Sequence, residues 1–484
     1  MKHVLLISCY ELGHQPAGIT MPASFLQRAG FHAETIDVAV QEFDSEKVRA
    51  AGFIGISVPM HTALRLGVRL AAEIRKINPD AHICFYGLYA SLNSDYLLAT
   101  AADSVIGGEF EESLVNLVRV VDQGAEIDLA GVSTRSKSSP AVLARLDFPA
   151  PSRSSVEPLD RYAKLEHNGE QRLAGYVEAS RGCLHNCTHC PIPPVYGGRF
   201  FAMPKEVVLE DIRDLVAAGA RHITFGDPDF LNGPTHSLRI AGAMHEEFPD
   251  ITFDFTAKIE HILKHKSLFP ELARNGCIFV VSAVESFSDT VLEHLEKGHT
   301  REDVFDAVSV VRASGISLRP TFVPFTPWAT VDDFIDLIES VEALGLIDHV
   351  DTVQYTIRLL VPPGSLLLSR SDTRRWLGPL NEQMFTYQWR HLDPRLDELH
   401  KRVSALVEQA VSVNEDGALT FYRIRELAYE AQGDTIPRRR IPEIEPLRLR
   451  PPRLTESWFC CAEPTSDQFR PFDNTAVVYK ISKG

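Results

Sequence analysis

The chain has 484 residues, 44% of them apolar and 24% charged, which is too long for one ordinary domain and ample for two or three packed cores. Its 65 Asp and Glu against 49 Lys and Arg leave a net charge of −16, a balance that repels phosphate backbones and argues against nucleic acid as a bulk partner. Eight cysteines with no leader pattern do not suit a disulfide framework, and no apolar run is long enough to cross a bilayer. The expected setting is the cytoplasm, without a membrane partner.

Short apolar strands are predicted at His3–Ser8, Ala33–Ile36, Phe53–Val58, His82–Tyr86 and Ser104–Ile106, with amphipathic helices such as Ala63–Ile77 between them. This alternation predicts an α/β, Rossmann-like domain over residues 1–125 with a parallel sheet. Cys9, Cys84 and, further on, Cys277 lie in apolar runs and read as buried core thiols. Residues 126–172 are rich in Ser and Pro and read as a connector.

Over 173–365 the alternation resumes with a longer repeat. Strands are predicted at Gly175–Ala179, His222–Phe225, Thr252–Thr256, Ile278–Ala283, Leu318–Val323 and Val353–Thr356, separated by helices such as Lys205–Ala218, Arg301–Ser314 and Val331–Leu344. Six such units predict a partial (β/α)6 barrel, with reactive groups at the carboxyl ends of its strands. Residues 366–432 read as mostly helical. The run TIPRRRIPEIEPLRLRPPRL (435–454) is too dense in proline for a helix or a central strand. Apolar residues alternate through it, so within 433–484 it is expected to be an extended strap docked on the protein rather than a loose tail.

The chemistry lies in two cysteine clusters. The first, SRGCLHNCTHCPIP (Ser180–Pro193), sets Cys183, Cys187 and Cys190 at the spacing C-x3-C-x2-C directly after a predicted barrel strand. Three thiolates can hold three irons of a 4Fe–4S cubane and leave the fourth iron open. A structural zinc would instead need a fourth ligand, which His185 or His189 could offer.

At these residues the chain resembles the radical S-adenosylmethionine (SAM) superfamily. The resemblance implies that SAM chelates the open iron and that the reduced cluster breaks one of its carbon–sulfur bonds. It implies that His189 occupies the position of an aromatic residue packed on the adenine. Gly226 and Asp227, in FGDPDF, would then stand in the loop that binds the methionine amino group. Glu285 matches an acid near the ribose, in a segment completed by Lys297 and Gly298, and Arg319 is a candidate partner of the methionine carboxylate. For Asp227, Glu285 and Arg319 a structural ion pair is the competing reading.

Residues 1–125 resemble the cobalamin-binding-type domain that precedes many such barrels, on GFIGISVPMHTA, FYGLYAS and IGGEFEESL. The motif Asp-x-His-x-x-Gly is absent, since the glycine after His14 falls one place late, at Gly18. Tyr86, Leu88 and Tyr89 crowd a region where relatives keep small residues. Cobalamin is therefore possible, but a retained fold with a filled pocket is the favoured state.

The second cluster, SWFCCAEPTSDQF, carries the adjacent Cys460 and Cys461 and then Glu463. Adjacent thiols do not readily bridge each other and suit a soft, thiophilic centre; two packing thiols are the alternative. The segment resembles the CUAEP/CCAEP-tail radical SAM proteins. That likeness implies transfer of the 3-amino-3-carboxypropyl group of SAM to arsenite, forming hydroxyarsinothricin and 5′-methylthioadenosine. Cys460, Cys461 and Glu463 would be the catalytic tail, and a flavodoxin or ferredoxin the electron donor. Two competing readings are a cobalamin-dependent radical SAM methyltransferase and a metalloid or selenium carrier whose cluster only transfers electrons.

Overall fold

The computed structural model describes residues 3–433, 443–445, 448–456 and 466–469, and the chain divides into two compact units on either side of residue 161. Strands β1 (His3–Ser8), β2 (Ala33–Asp37), β3 (Ala51–Ser57), β4 (His82–Tyr86) and β5 (Ser104–Ile106) build the first unit's parallel sheet in the order β2-β1-β3-β4-β5. Val4, Leu5, Leu6 and Ile7 are all buried, as expected of a parallel strand covered on both faces. The chain order reverses between β1 and β3, where the carboxyl ends of parallel strands form a crevice. The segment expected to be a connector contributes β6 (Val132–Thr134), paired antiparallel on β5. It lies in the polar, Ser-rich run GVSTRSKSS, where no apolar run marks a strand. The short helix Ser466–Phe469 also belongs to this unit, and Phe469 lies 3.9 Å from the Arg69 guanidinium.

The second unit opens with the hairpin β7 (Lys164–His167) and β8 (Glu170–Val177). Asn168 and Gly169 take φ values of 53° and 78°, the left-handed pair that a two-residue hairpin turn requires. Next come the short antiparallel pair β9 (Ser180–Gly182) and β10 (Phe200–Ala202), which brackets the cysteine loop. Strands β11 (His222–Phe225), β12 (Thr252–Thr256), β13 (Cys277–Glu285) and β14 (Ser317–Phe322) then join β8 as five parallel strands. Helices Arg301–Ala313 and Val331–Ala343 begin at capping boxes, Thr300 with Asp303 and Thr330 with Asp333.

The sixth strand expected at Val353–Thr356 is instead a 3-10 turn, Thr352–Thr356. Gln354 Oε1 accepts the Phe322 N–H at 3.1 Å, taking the place of a strand carbonyl. Parallel pairing survives only as the single bridge between Phe325 and Arg358. Residues 366–432 are also less helical than expected. Two 3-10 turns, Leu366–Ser369 and Thr373–Arg375, are followed by the hairpin β15 (Leu377–Asn381) and β16 (Thr386–Trp389), and long helices appear only at Pro394–Ser412 and Gly417–Gln432.

The described part of the strap is docked. Strand β17 (Arg453–Leu454) pairs with β7 and extends the sheet to β14-β13-β12-β11-β8-β7-β17. Arg448 reaches both Asp348 and Asp416, and Arg453 pairs with Glu166 at 2.7 Å. Cys460, Cys461 and Glu463 lie outside the described residues. Among the described residues, no helix is long and apolar enough to cross a membrane.

Candidate active site

The carboxyl ends of β8, β11, β12 and β13 meet around the cysteine loop. Its thiols are sheltered, with Cys183 and Cys187 9% and 6% exposed. The loop is fastened from several sides: Thr188 N–H donates to Leu295 O at 3.1 Å, its hydroxyl to His294 O at 3.0 Å, and Ser365 Oγ to Thr188 O at 3.3 Å. Asn232 Oδ1 accepts from Leu184 N–H at 3.3 Å and from Cys183 Sγ at 3.9 Å. Burial pushes the Cys190 thiol up to about 12, and the neighbouring Cys187 and Cys183 add to the rise.

The thiols fit a cluster better than one zinc ion. Thiolates sharing a zinc at about 2.3 Å each lie about 3.8 Å apart. The three sulfurs are not among the described ligand sets whose atoms all close to within 4.8 Å. Neither histidine completes a tetrahedron: His189 turns to Glu285, and His185 faces Asp229 and Lys258. Three sulfurs on separate irons suit this arrangement.

Glu285 closes β13 at a bulge with φ of +66°, a conformation that costs a non-glycine residue about 1–3 kcal/mol. Its Oε1 receives Lys297 Nζ at 3.1 Å and lies 3.3 Å from His189 Nε2. Burial alone would raise this carboxyl, but Lys297, then His189, hold it well below the usual carboxylate range. Lys297 is itself buried, and its charge favours the thiolate form of Cys190. These expected residues are therefore brought together.

Asp227 is also at the site, with its carboxylate turned inward. It accepts the Ala179 N–H at 3.0 Å and the Ser180 hydroxyl, so it fixes the turn that launches the cysteine loop. Burial pushes it up to about 7 against the pull of those donors. Gly226 lies against Tyr176, where a Cβ would fall 2.0 Å from the ring. Arg319 does not join the group. It sits inside β14, three residues before the strand's end, where Asp351 holds it at 2.8 Å and the Pro452 carbonyl at 3.4 Å. The competing reading, a structural ion pair, describes it.

Sequence reasoning did not single out Asp229, Lys258 or His261, which gather around His185 from separate elements. The acidic FGDPDF loop was visible, but no spacing links it to a helix after the next strand.

In the first unit Tyr86 fills the crowded region expected of a cobalamin-binding-type fold. It is fully buried, donates its hydroxyl to Gly18 O at 2.8 Å, and packs on Phe110 with centroids 4.9 Å apart. Tyr86 thus occupies part of this region, beside the start of the helix Ala17–Arg28.

Residues 177–340 match the model of the Radical SAM superfamily, and residues 3–118 match that of the B12 binding domain. An uncharacterized methyltransferase of Pyrococcus horikoshii is 24% identical over 374 residues, covering 73% of this chain and 77% of that protein. A tRNA-2-methylthio-N(6)-dimethylallyladenosine synthase of Desulfosudis oleivorans is 28% identical over 200 residues, 39% of this chain and 42% of that protein, so the chain spans less than half of this second relative. Among solved structures, the cobalamin-dependent SAM radical enzyme OxsB superposes with a TM-score of 0.68 at 17% identity, covering 89% of this chain and 74% of that one. The radical SAM methyltransferase TsrM from Kitasatospora setae gives 0.57 at 18%, covering 71% and 70%. At these identities the structural likeness establishes the fold.

Fold and site together define a radical SAM barrel preceded by a B12-binding-type domain. Its radical SAM domain over residues 177–340 makes the chain an enzyme whose cofactors are a 4Fe–4S cluster and SAM.

Proposed function

We propose that this enzyme is a radical SAM methyltransferase of the cobalamin-dependent kind, acting on a small molecule. The observation that carries the reading is the joint match of a B12-binding domain and a radical SAM barrel in one chain. The names of the Pyrococcus relative and of TsrM, both methyltransferases, support it. Cobalamin held by the first unit would supply the methyl carrier. Aminocarboxypropyl transfer to arsenite is the second reading. It rests on the resemblance of the tail at Cys460, Cys461 and Glu463, and no comparison supports it.

When bound, the reduced cluster supplies an electron to the sulfonium of SAM. The protein's part is placement. Cys183, Cys187 and Cys190 would hold three irons, and the Lys297 ammonium would offset part of the negative charge of their thiolates. Both protein contacts of Glu285 fall on Oε1, which leaves Oε2 to accept a ribose hydroxyl. Asp227 holds Ala179 and Ser180 so that the loop leaves β8 at one angle, and the loop at Gly226 would lie at the methionine end of SAM. A flavodoxin or ferredoxin would deliver the electron.

The test is anaerobic turnover with dithionite and SAM, with and without hydroxocobalamin or arsenite, read by mass spectrometry. S-adenosylhomocysteine formed with 5′-deoxyadenosine and dependent on cobalamin supports methyl transfer. 5′-Methylthioadenosine that depends on arsenite replaces it with the second reading.

A further inference from the structure

Beside the cysteine loop three donors from three elements converge. His185 lies inside the loop, Asp229 follows β11, and His261 sits on the helix Ile259–Lys264 that follows β12. Their ligand atoms all lie within 4.8 Å of one another. His261 Nδ1 is 2.9 Å from Asp229 Oδ2, and His185 Nε2 is 3.7 Å from the same oxygen. Two donors held about 2.0–2.2 Å from one tetrahedral ion stand about 3.3–3.6 Å apart, so these separations bracket the value a shared ion would set.

The decisive feature is what the nitrogens do not do. His261 is 5% exposed and Asp229 fully buried, yet neither His261 Nδ1 nor His185 Nε2 makes a hydrogen bond. The same barrel shows the ordinary outcome at His222, whose Nε2 hydrogen-bonds Asp254 at 2.8 Å while Nδ1 bonds Thr252 at 2.9 Å. At His261 the distance is almost the same, but the nitrogen is turned off the hydrogen-bond axis. Buried polar atoms are rarely left unsatisfied, and two at one carboxylate call for an occupant.

The surroundings hold the donors in place. Asp229 accepts from Leu231 N–H at 2.9 Å and from Lys258 N–H at 3.2 Å, which fixes the carboxylate. Lys258 Nζ lies 3.2 Å from His185 Nδ1, and Glu260 Oε2 3.6 Å from the same nitrogen, so Nε2 is the ring atom left facing Asp229.

We propose that His185, Asp229 and His261 form a second metal site, distinct from the cluster, for a borderline divalent cation such as zinc or ferrous iron. Two imidazoles and one carboxylate suit such ions better than magnesium or calcium, which favour all-oxygen sets. Three protein ligands leave a coordination position for water or for an oxygen or nitrogen of a substrate, the pattern of catalytic rather than structural sites. The proposal does not depend on which group the enzyme transfers.

The test uses the full chain with its cluster reconstituted. One equivalent of zinc is added anaerobically and the protein is desalted. Metal content is then measured by mass spectrometry and the zinc environment by K-edge X-ray absorption, which iron does not obscure. The expected result is one zinc per chain beside four irons, with nitrogen and oxygen neighbours and no sulfur. His261→Ala should keep its iron and its electron paramagnetic signal while binding zinc at least tenfold more weakly. If that variant fails to take up iron, His261→Gln, which keeps most of the volume, is read in its place. No retained zinc, sulfur among its neighbours, or unchanged zinc affinity in the variant would each overturn the proposal.

Discussion

Replacing Lys297 with Met tests whether the buried pair under the cluster loop is what holds the site together. The two side chains are 3% and 8% exposed, so solvent cannot absorb the charge left behind on Glu285. Removing one partner of such a pair costs about 3–5 kcal/mol. His189 remains 3.3 Å away and offers partial compensation, which favours the lower half of that range. The second unit runs from Tyr162 to Ala462, roughly 300 residues, with an unfolding entropy of about 0.6 kcal/mol/K. Lys297→Met should therefore lower the midpoint of this unit's thermal transition by about 5–7 °C. Adding Glu285→Gln removes the stranded charge, so the double variant should regain at least half of the loss. The assay is anaerobic thermal unfolding of the reconstituted protein, with cluster absorbance followed in parallel. A shift under about 2 °C in the single variant, or a double variant no better than the single, would refute the reasoning.

Gly226→Ala places a Cβ 2.0 Å from the Tyr176 ring, so it should weaken SAM binding at least tenfold, and Tyr176→Ala in the same chain should restore most of it; equilibrium binding to the reconstituted protein checks both. Asp416 carries Arg448 and Arg450 of the strap, and Arg448 above all lowers its carboxyl to about 2. Because that folded value lies below the unfolded one, its contribution is fully present above about pH 4 and is lost as pH falls towards 2. Asp416→Asn keeps the cap on Ala418 but should speed tryptic cleavage of the strap at pH 7 about fivefold, or ~1 kcal/mol. Tyr86→Ala should bind hydroxocobalamin at least tenfold more tightly than the native chain, since it empties the filled region, whereas Tyr86→Phe keeps the ring and should change little. Absorbance of the desalted proteins reads the difference, and equal uptake by all three would contradict the role given to Tyr86.

Much of the fold was legible because parallel strands declare themselves as short apolar runs. His3–Ser8, His82–Tyr86, Ser104–Ile106, His222–Phe225 and Thr252–Thr256 begin and end where the runs do. Val353–Thr356 has the same look, but a side chain, Gln354, satisfies the edge of β14, and no local pattern announces that substitution. The turn Asn168–Gly169 was a readable hairpin signal hidden in a polar stretch. The cysteine loop was legible because its ligands are neighbours in sequence, and Glu285 because it ends a strand. Arg319 misled because residue type suits a carboxylate but its place on the strand does not, three residues before the end. His261 and Asp229 could not be paired from sequence, since only the barrel brings the ends of β11 and β12 together.

The most direct measurement of the central claim is the electron paramagnetic spectrum of the dithionite-reduced, reconstituted protein before and after SAM is added. A site-differentiated cluster held by Cys183, Cys187 and Cys190 predicts a reduced 4Fe–4S signal that changes on addition of SAM and vanishes when any one of the three is replaced by Ala. A signal indifferent to SAM, or one that survives in the triple-alanine protein, would contradict the account.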